Sequence, residues 1–302
     1  CIYCMPEEGI NFLDQGKILT TNEIKSILKV VADLGVSKVR LTGGEPLLRK
    51  DIFELIGYAS KITTIDSVHM TTNGLLLSDY IEKLEEVGLS GINISLDTLD
   101  PEKFKEITRR DALHDVLGGL NAAVKSNIKH VKVNVVAMRD FNDAEILDFT
   151  ELTKSNDITV RFIELMPFDS HQIWKTGKYY SAANILEDLR KKIKVLSPIS
   201  GSSTEHHIFK IKGYKGRVAV IPSYTRTLCG KCNRLRITAD GKLLNCLYSQ
   251  QETNIRDAIR QRLSEVTIKD MIREAMGKKM IDGWTAQRQG KEHRESMTQI
   301  GG

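Results

Sequence analysis

Val39-Arg40-Leu41-Thr42-Gly43-Gly44-Glu45-Pro46 decides the architecture of this chain. Its first four residues alternate apolar and polar side chains as a strand does, and two glycines and a proline end it. Ahead of it, Thr20 with Glu23 three residues on makes a capping box that opens a helix over 21–34, stopped at Gly35. Behind it, a helical pattern runs near 51–60. The same alternation continues, with strands expected at 67–72, 92–95, 131–137 and 159–164 and helices near 78–87, 113–126 and 143–154. Strands alternating with helices at this spacing predict parallel βαβ units, hence a barrel or a doubly wound sheet.

The 302 residues suit two domains at a prior of about 150 residues each. Hydrophobic residues make up 41% and charged residues 27%, enough apolar content to bury a core and too much for a disordered chain. No apolar run approaches the ~18 residues of a membrane span. Lys+Arg 44 against Asp+Glu 39 gives +5. That excess suits an anionic ligand, but its dispersal and the 6% aromatic content argue against nucleic acid. Nothing at the front reads as a signal peptide, so the expected location is the cytoplasm.

After residue 195 the texture changes. A turn-rich stretch over 197–203 is followed by short strands at 207–212, 217–221, 234–238 and 242–246, the last two joined by the hairpin signal Asp240-Gly241. Helix returns over 253–277, and the chain ends on Gly301-Gly302. The expected division is 1–195, an α/β domain, and 196–302, a small antiparallel domain.

Chemistry-bearing residues gather where strands end. Cys1–Cys4 and the segments 42–46, 71–74, 95–97, 132–134 and 161–166 lie on or at the ends of expected strands, where parallel α/β folds place ligands. Cys1-Ile2-Tyr3-Cys4 fits zinc, an iron–sulfur cluster or dithiol redox chemistry. Gly43-Gly44 exposes backbone to a ligand amine or carboxylate, although a plain tight turn reads the same way. Cys229-Gly230-Lys231-Cys232, with Cys246 thirteen residues on, gives three thiolates. A structural zinc would need a fourth ligand, which His206 or His207 could supply, whereas an iron–sulfur cubane on three cysteines leaves one iron open to substrate. Arg234 and Arg236, with Leu235 between them, face one way on a strand, and two adjacent guanidiniums suit a phosphate. Arg40 and Lys132 also sit on expected strands, where an inward charge needs an anionic partner and an outward one is ordinary surface.

The two cysteine patterns with G-G-E-P and N-R-L-R resemble the radical S-adenosylmethionine superfamily, and within it the GTP 3′,8-cyclase family of molybdenum cofactor biosynthesis. The resemblance runs from Cys1 to Gly302. In the superfamily signature C-x3-C-x2-C, Cys1 and Cys4 match the second and third cysteines, and the first position falls four residues ahead of Cys1. The fold so implied is an incomplete (βα)6 TIM-like barrel, its first strand ahead of this sequence, plus a small C-terminal antiparallel iron–sulfur cluster domain. Two [4Fe-4S] clusters are implied, one on Cys1 and Cys4 and one on Cys229, Cys232 and Cys246. S-adenosylmethionine would meet Tyr3 through its backbone, Gly44, Ser95 and Met166. GTP would meet Arg40, Thr71, Lys132, Arg234, Leu235 and Arg236. The terminal Gly301 and Gly302 would reach into the site as catalytic residues, although two final glycines ordinarily read as a disordered end. The activity implied is reductive cleavage of S-adenosylmethionine to a 5′-deoxyadenosyl radical, abstraction of the ribose 3′ hydrogen and closure of that carbon on guanine carbon 8. Implied partners are an electron donor, the cyclic pyranopterin monophosphate synthase that acts next, and a second copy in a homodimer. Two rivals remain: a radical enzyme of another substrate with an auxiliary cluster, and a non-catalytic zinc-ribbon binding module.

Overall fold

The computed structural model describes residues 1–5, 9, 13–166, 177–200, 207–225 and 229–288. Strands β1 (Lys38–Leu41), β2 (Ser67–Thr72), β3 (Gly91–Ser95), β4 (His130–Ala137) and β5 (Ile158–Glu164) pair in parallel in chain order. Strands β6 (Leu196–Ile199), β7 (His207–Ile211) and β8 (Arg217–Ile221) complete the sheet in the order β1-β2-β3-β4-β5-β8-β7-β6. β8 lies parallel to β5, which makes six parallel strands, and β7 and β6 run antiparallel beyond it. This is the incomplete barrel. A separate antiparallel sheet holds β9 (Arg236–Ile237), β10 (Lys242–Leu244) and β11 (Thr253–Asn254).

Helix α1 (Thr21–Asp33) precedes β1, helices α2 (Ile52–Ser60), α3 (Leu77–Glu86), α4 (Pro101–Thr108), α5 (Leu113–Lys125), α6 (Ile146–Ser155) and α7 (Ala182–Lys192) follow the strands of the barrel, and α8 (Ile255–Arg260), α9 (Glu265–Gly277) and α10 (Gly283–Arg288) come after the second sheet. Among the described residues no helix is long and apolar enough to cross a membrane.

Strand alternation sorts the two faces of the barrel. Val68, Met70, Ile92, Ile94, Val131, Val133, Val160 and Phe162 point to the helix side and are buried in the main core with Leu55, Ile56, Leu77, Leu84 and Phe149 nearby. The opposite set is polar. Register places Thr71, Asn93, Lys132 and Thr159 side by side, and then Ser95, Asn134 and Arg161 one step further along. Parallel neighbours in register share a face, so the barrel's inner wall carries the polar residues.

The second sheet is bound to the first body through α1. Ile27, Val30 and Val31 pack with Leu243, Ile255, Ile268 and Ile272, while Leu28 and Ala32 join the main core. Ion pairs Arg260–Glu23 (2.6 Å) and Lys269–Asp33 (2.7 Å) line the seam. Being still open to solvent on one side, such pairs fix orientation more than they stabilise.

Four sequence expectations shift. The strands expected to open a separate domain at 196 extend the large sheet instead, because β8 finds the free edge of β5; the independent antiparallel sheet starts at Arg236. Helix α4 was not expected, although Asp100 caps it by accepting from the Glu102 and Lys103 amides and Pro101 starts it. Helix α7 was likewise missed. The helix expected over 253–277 is two, α8 and α9, with Arg262 in the left-handed region (φ 56) between them.

Candidate functional site

The turn after β1 is held by its glutamate. Gly43 takes φ 137, which a side chain would resist, and added Cβ atoms at Gly43 and Gly44 would meet nothing within 4 Å, so both glycines border open space. Glu45 accepts from the Leu47 amide (3.1 Å), the Thr72 hydroxyl (2.8 Å) and the Asn73 amide (2.8 Å). One carboxylate thus ties the G-G-E-P turn to the end of β2. It also separates the adjacent threonines: Thr72 is buried against Glu45, while Thr71 sits on the inner face and accepts from Asn93 Nδ2 at 3.2 Å.

The Cys1–Cys4 segment folds on itself and onto the barrel. The Cys4 and Met5 amides donate to Cys1 O at 3.1 and 3.0 Å, and the Ile2 amide donates to Ile107 O at 2.9 Å. The Tyr3 hydroxyl donates to Asp97 Oδ2 at 2.6 Å, and Asp97 Oδ1 accepts from the Val136 amide at 2.8 Å. Burial raises both the Tyr3 phenol and the Asp97 carboxyl, and for Tyr3 the Asp97 charge adds to it. Asn142 completes the brace, donating to Asp97 O (2.6 Å) and Val136 O (2.8 Å) and accepting from the Met138 amide (2.7 Å).

Inside the barrel, the buried Arg161 donates to Asn134 Oδ1 (2.8 Å) and Asn93 Oδ1 (2.9 Å). Ser95 is exposed at the end of β3, beside this layer in register. Lower in the barrel the rings of His69 and His130 stack 5.8 Å apart. A cavity of about 250 Å³ opens at the early ends of β4 and β5, lined by Lys129, His130, Lys132, Asp157, Thr159 and Arg217 among others.

The second cysteine group lies beside the arginines. Cys229 starts a short helical turn and its carbonyl accepts from the Cys232 amide at 3.0 Å. Burial alone would push the Cys232 thiol up, but the Arg234 amide and guanidinium and the Lys279 ammonium together hold it below its usual value. Arg236 is pushed down to about 10, first by burial and then by Arg234, with Arg40 acting the same way and Cys232 and Cys246 opposing. So Arg40 from the barrel, Arg234 and Arg236 from the second unit, and two thiols share one neighbourhood. β9 is only two residues long, so Arg234 stands ahead of the strand rather than on it. Leu235 packs towards the α1 and α9 core, which leaves its backbone as the part that can face a ligand. Met166 and Cys246 pack on one small cluster around Tyr248 and Ala286. The expected roles of Gly301, Gly302 and His206 fall outside the described residues.

No disulfide joins any of the five cysteines. Among the described residues no three His, Cys, Asp or Glu side chains gather closely enough to hold one metal ion. A structural zinc draws its ligands to a single point, whereas a cubane spreads its thiolates over separate irons. The donor set Cys229, Cys232 and Cys246 offers three thiolates, one short of a closed four-ligand zinc site and enough for a cubane that keeps one iron open. Arg234 Nε is buried without a hydrogen-bond partner. A buried donor beside a second guanidinium is completed by an anion with several acceptor oxygens, and a phosphate fits it.

The bracing roles of Glu45, Asp97, Asn142 and Lys279 escaped the sequence reading, since each depends on a partner distant in the chain. The available signals were Glu45, which stands inside a motif already singled out for its glycines, and Asp97, which ends the segment 95–97 already placed at a strand end.

Residues 1–153 match the Radical SAM superfamily and residues 158–282 match Molybdenum Cofactor Synthesis C. The chain is 42% identical over 302 residues to GTP 3′,8-cyclase of Chlorobaculum tepidum, covering all of this chain and 90% of that protein. It is 43% identical over 281 residues to molybdenum cofactor biosynthesis protein 1 of Bos taurus, covering 92% of this chain but 44% of that longer protein. Among solved structures, Streptococcus suis SuiB bound to S-adenosylmethionine shares the fold with a TM-score of 0.54 at 17% identity, over 84% of this chain and 59% of that one.

Proposed function

The chain belongs to the radical S-adenosylmethionine superfamily, and from that membership we propose that it is a GTP 3′,8-cyclase, the enzyme that joins the ribose 3′ carbon of GTP to guanine carbon 8 in molybdenum cofactor synthesis. The observation that carries the reading is the buried, unpartnered Nε of Arg234 on the segment that Lys279 ties to Cys232, with Arg236 and Arg40 near enough to repel one another. Cations and cluster ligands together suit a substrate with a phosphate end and a base end.

Cys1 and Cys4 would hold the cluster that works with S-adenosylmethionine, and Cys229, Cys232 and Cys246 a second one. When bound, these groups supply the electron and the primary carbon radical that break a ribose C–H bond. The chain's own residues supply position. Tyr3 and Asp97 brace the first cysteine loop over the ends of β3 and β4. Glu45 holds the turn whose open glycines suit the methionine end of the cosubstrate, and Ser95 stands exposed at the end of β3, two strands along the sheet. Arg40, Lys132, Arg234 and Arg236 are the cations for the triphosphate, and the basic cavity reached by Lys132 gives it room. Thr71, held by Asn93, lines the wall between them. Fixing both reacting carbons of a single substrate is an orientation task, worth several orders of magnitude in rate when done well.

The test uses protein expressed from its complete reading frame and reconstituted anaerobically with iron and sulfide. Incubation with reductant, S-adenosylmethionine and GTP should give 5′-deoxyadenosine and a cyclised isomer of GTP by mass spectrometry. Deoxyadenosine with GTP unconsumed would point to another substrate. Zinc without sulfide, and neither product, would favour the binding module.

A further inference from the structure

Lys279 follows the end of α9 and is half-buried. Its ammonium donates to Arg234 O at 2.8 Å and to Cys232 Sγ at 3.6 Å, the latter within the longer reach of a sulfur acceptor. Its own amide is fixed by Met276 O at 3.0 Å, and the next residue, Met280, packs on the apolar cluster that also receives Cys246. Lys279 thus reaches the Cys232 thiol while its neighbour Met280 anchors the chain on the cluster that also holds Cys246. A lysine at a helix C-terminus ordinarily serves the helix's last carbonyls. This one instead reaches across to another loop, spanning 47 residues to Cys232.

We propose that Lys279 is a positioning residue of the second cysteine site, whose N–H···S bond to Cys232 raises the reduction potential of the cluster held there. The inference rests on reading Cys229, Cys232 and Cys246 as cluster ligands. The physical ground is direct. Reduction adds negative charge to the cluster and its thiolates, and a fixed cation donating to a ligating sulfur stabilises the reduced form more than the oxidised one. The bond to Arg234 O keeps that cation in place and ties the Cys232–Arg236 segment to α9, so the same side chain sets both the cluster's environment and the start of the arginine pair.

The experiment is a redox titration followed by electron paramagnetic resonance, on anaerobically reconstituted full-length protein. Cys1→Ala and Cys4→Ala are present throughout, so that only the second cluster reports. Lys279→Met should shift the midpoint to more negative potential, Lys279→Gln should shift it less, and Lys279→Arg should stay close to the parent. If Lys279→Met fails to assemble a cluster, the Gln and Arg variants decide the matter by the same comparison. Equal potentials in parent and uncharged variants, with iron and sulfide intact, would overturn the inference and leave the cluster reading standing, even if thermal stability had dropped. Zinc in place of iron and sulfide in the parent would overturn both.

Discussion

Tyr3 donates its hydroxyl to Asp97 at 2.6 Å, joining the first cysteine loop to the end of β3 across 94 residues of chain. Asp97 is 6% exposed, and its other oxygen takes the Val136 amide. Removing one member of such a pair leaves a buried polar group short of a partner, at a cost of about 1–3 kcal/mol. Tyr3→Phe should therefore lower the urea stability of the apoprotein by that order, and Asp97→Ala by more, since it also orphans the Val136 amide. The double variant should cost less than the sum of the two, by about 1 kcal/mol or more. Additive costs would show that the bond carries no energy and that the loop is held by its backbone bonds alone.

The histidine pair low in the barrel makes stability depend on pH. Burial holds the His69 imidazole down to about 3 from 6.5, and Lys38, Arg40, His130 and Lys132 add their repulsion. The folded state then resists a proton that the unfolded chain accepts. Its contribution is fully present above about pH 6.5 and is lost as pH falls towards 3, with a slope of at most ~1.4 kcal/mol per pH unit. His130, lowered by its own burial, acts in the same direction. Urea midpoints should fall between pH 7 and pH 5, and His69→Gln should flatten that fall. A slope unchanged in the variant would assign the effect to other groups.

Much of this was legible because strands advertise their faces. His130-Val-Lys-Val-Asn-Val alternates without a break, and the structure buries the valines Val131, Val133 and Val135 while turning Lys132 and Asn134 to the inner wall. The question left open for Lys132, inward or outward, was answered by register with Asn93 and Thr159. What stayed hidden depends on distant partners. Nothing local distinguishes Glu45 as the tie between two strand ends, or marks Lys279 as reaching Cys232. The boundary after 195 misled because strand length and turns look alike whether a strand adds to an existing edge or starts a new sheet; only the unpaired side of β5 decides it. The arginine pair shows a nearer miss. Spacing put Arg234 and Arg236 on one strand face, yet the strand is only Arg236–Ile237, and it is the turn from Cys232 that brings Arg234 close.

Gly91 is a packing requirement at the start of β3. A Cβ there would stand 2.3 Å from Nδ1 of the His69 ring and 3.0 Å from His130 Cβ, the two residues that flank it in register. Gly91→Ala should destabilise by about 1–3 kcal/mol, as overpacking does. Because the two contacts under 3.0 Å are both with the His69 ring, most of that cost should vanish in a His69→Ala background. A full cost in both backgrounds would locate the problem in the β3 backbone.

Arg234 separates binding from folding. Its buried Nε has no partner and its charge repels Arg236, which offsets the guanidinium's contact with the Cys232 thiol, so the unliganded protein gains little net by keeping it. Arg234→Ala should therefore change apoprotein stability by no more than about 1 kcal/mol. A phosphate would lose a charged hydrogen bond worth about 1.5–3 kcal/mol, which is roughly a tenfold to hundredfold rise in the Kd for GTP. Arg234→Lys should recover only part, since an ammonium keeps the charge without the planar fork. Anaerobic equilibrium binding with iron content measured in parallel checks this. Unchanged GTP affinity in Arg234→Ala, with iron content equal to the parent, would remove Arg234 from the phosphate site. Lost affinity together with lost iron would assign the side chain to the Cys232 environment instead, where its guanidinium also acts.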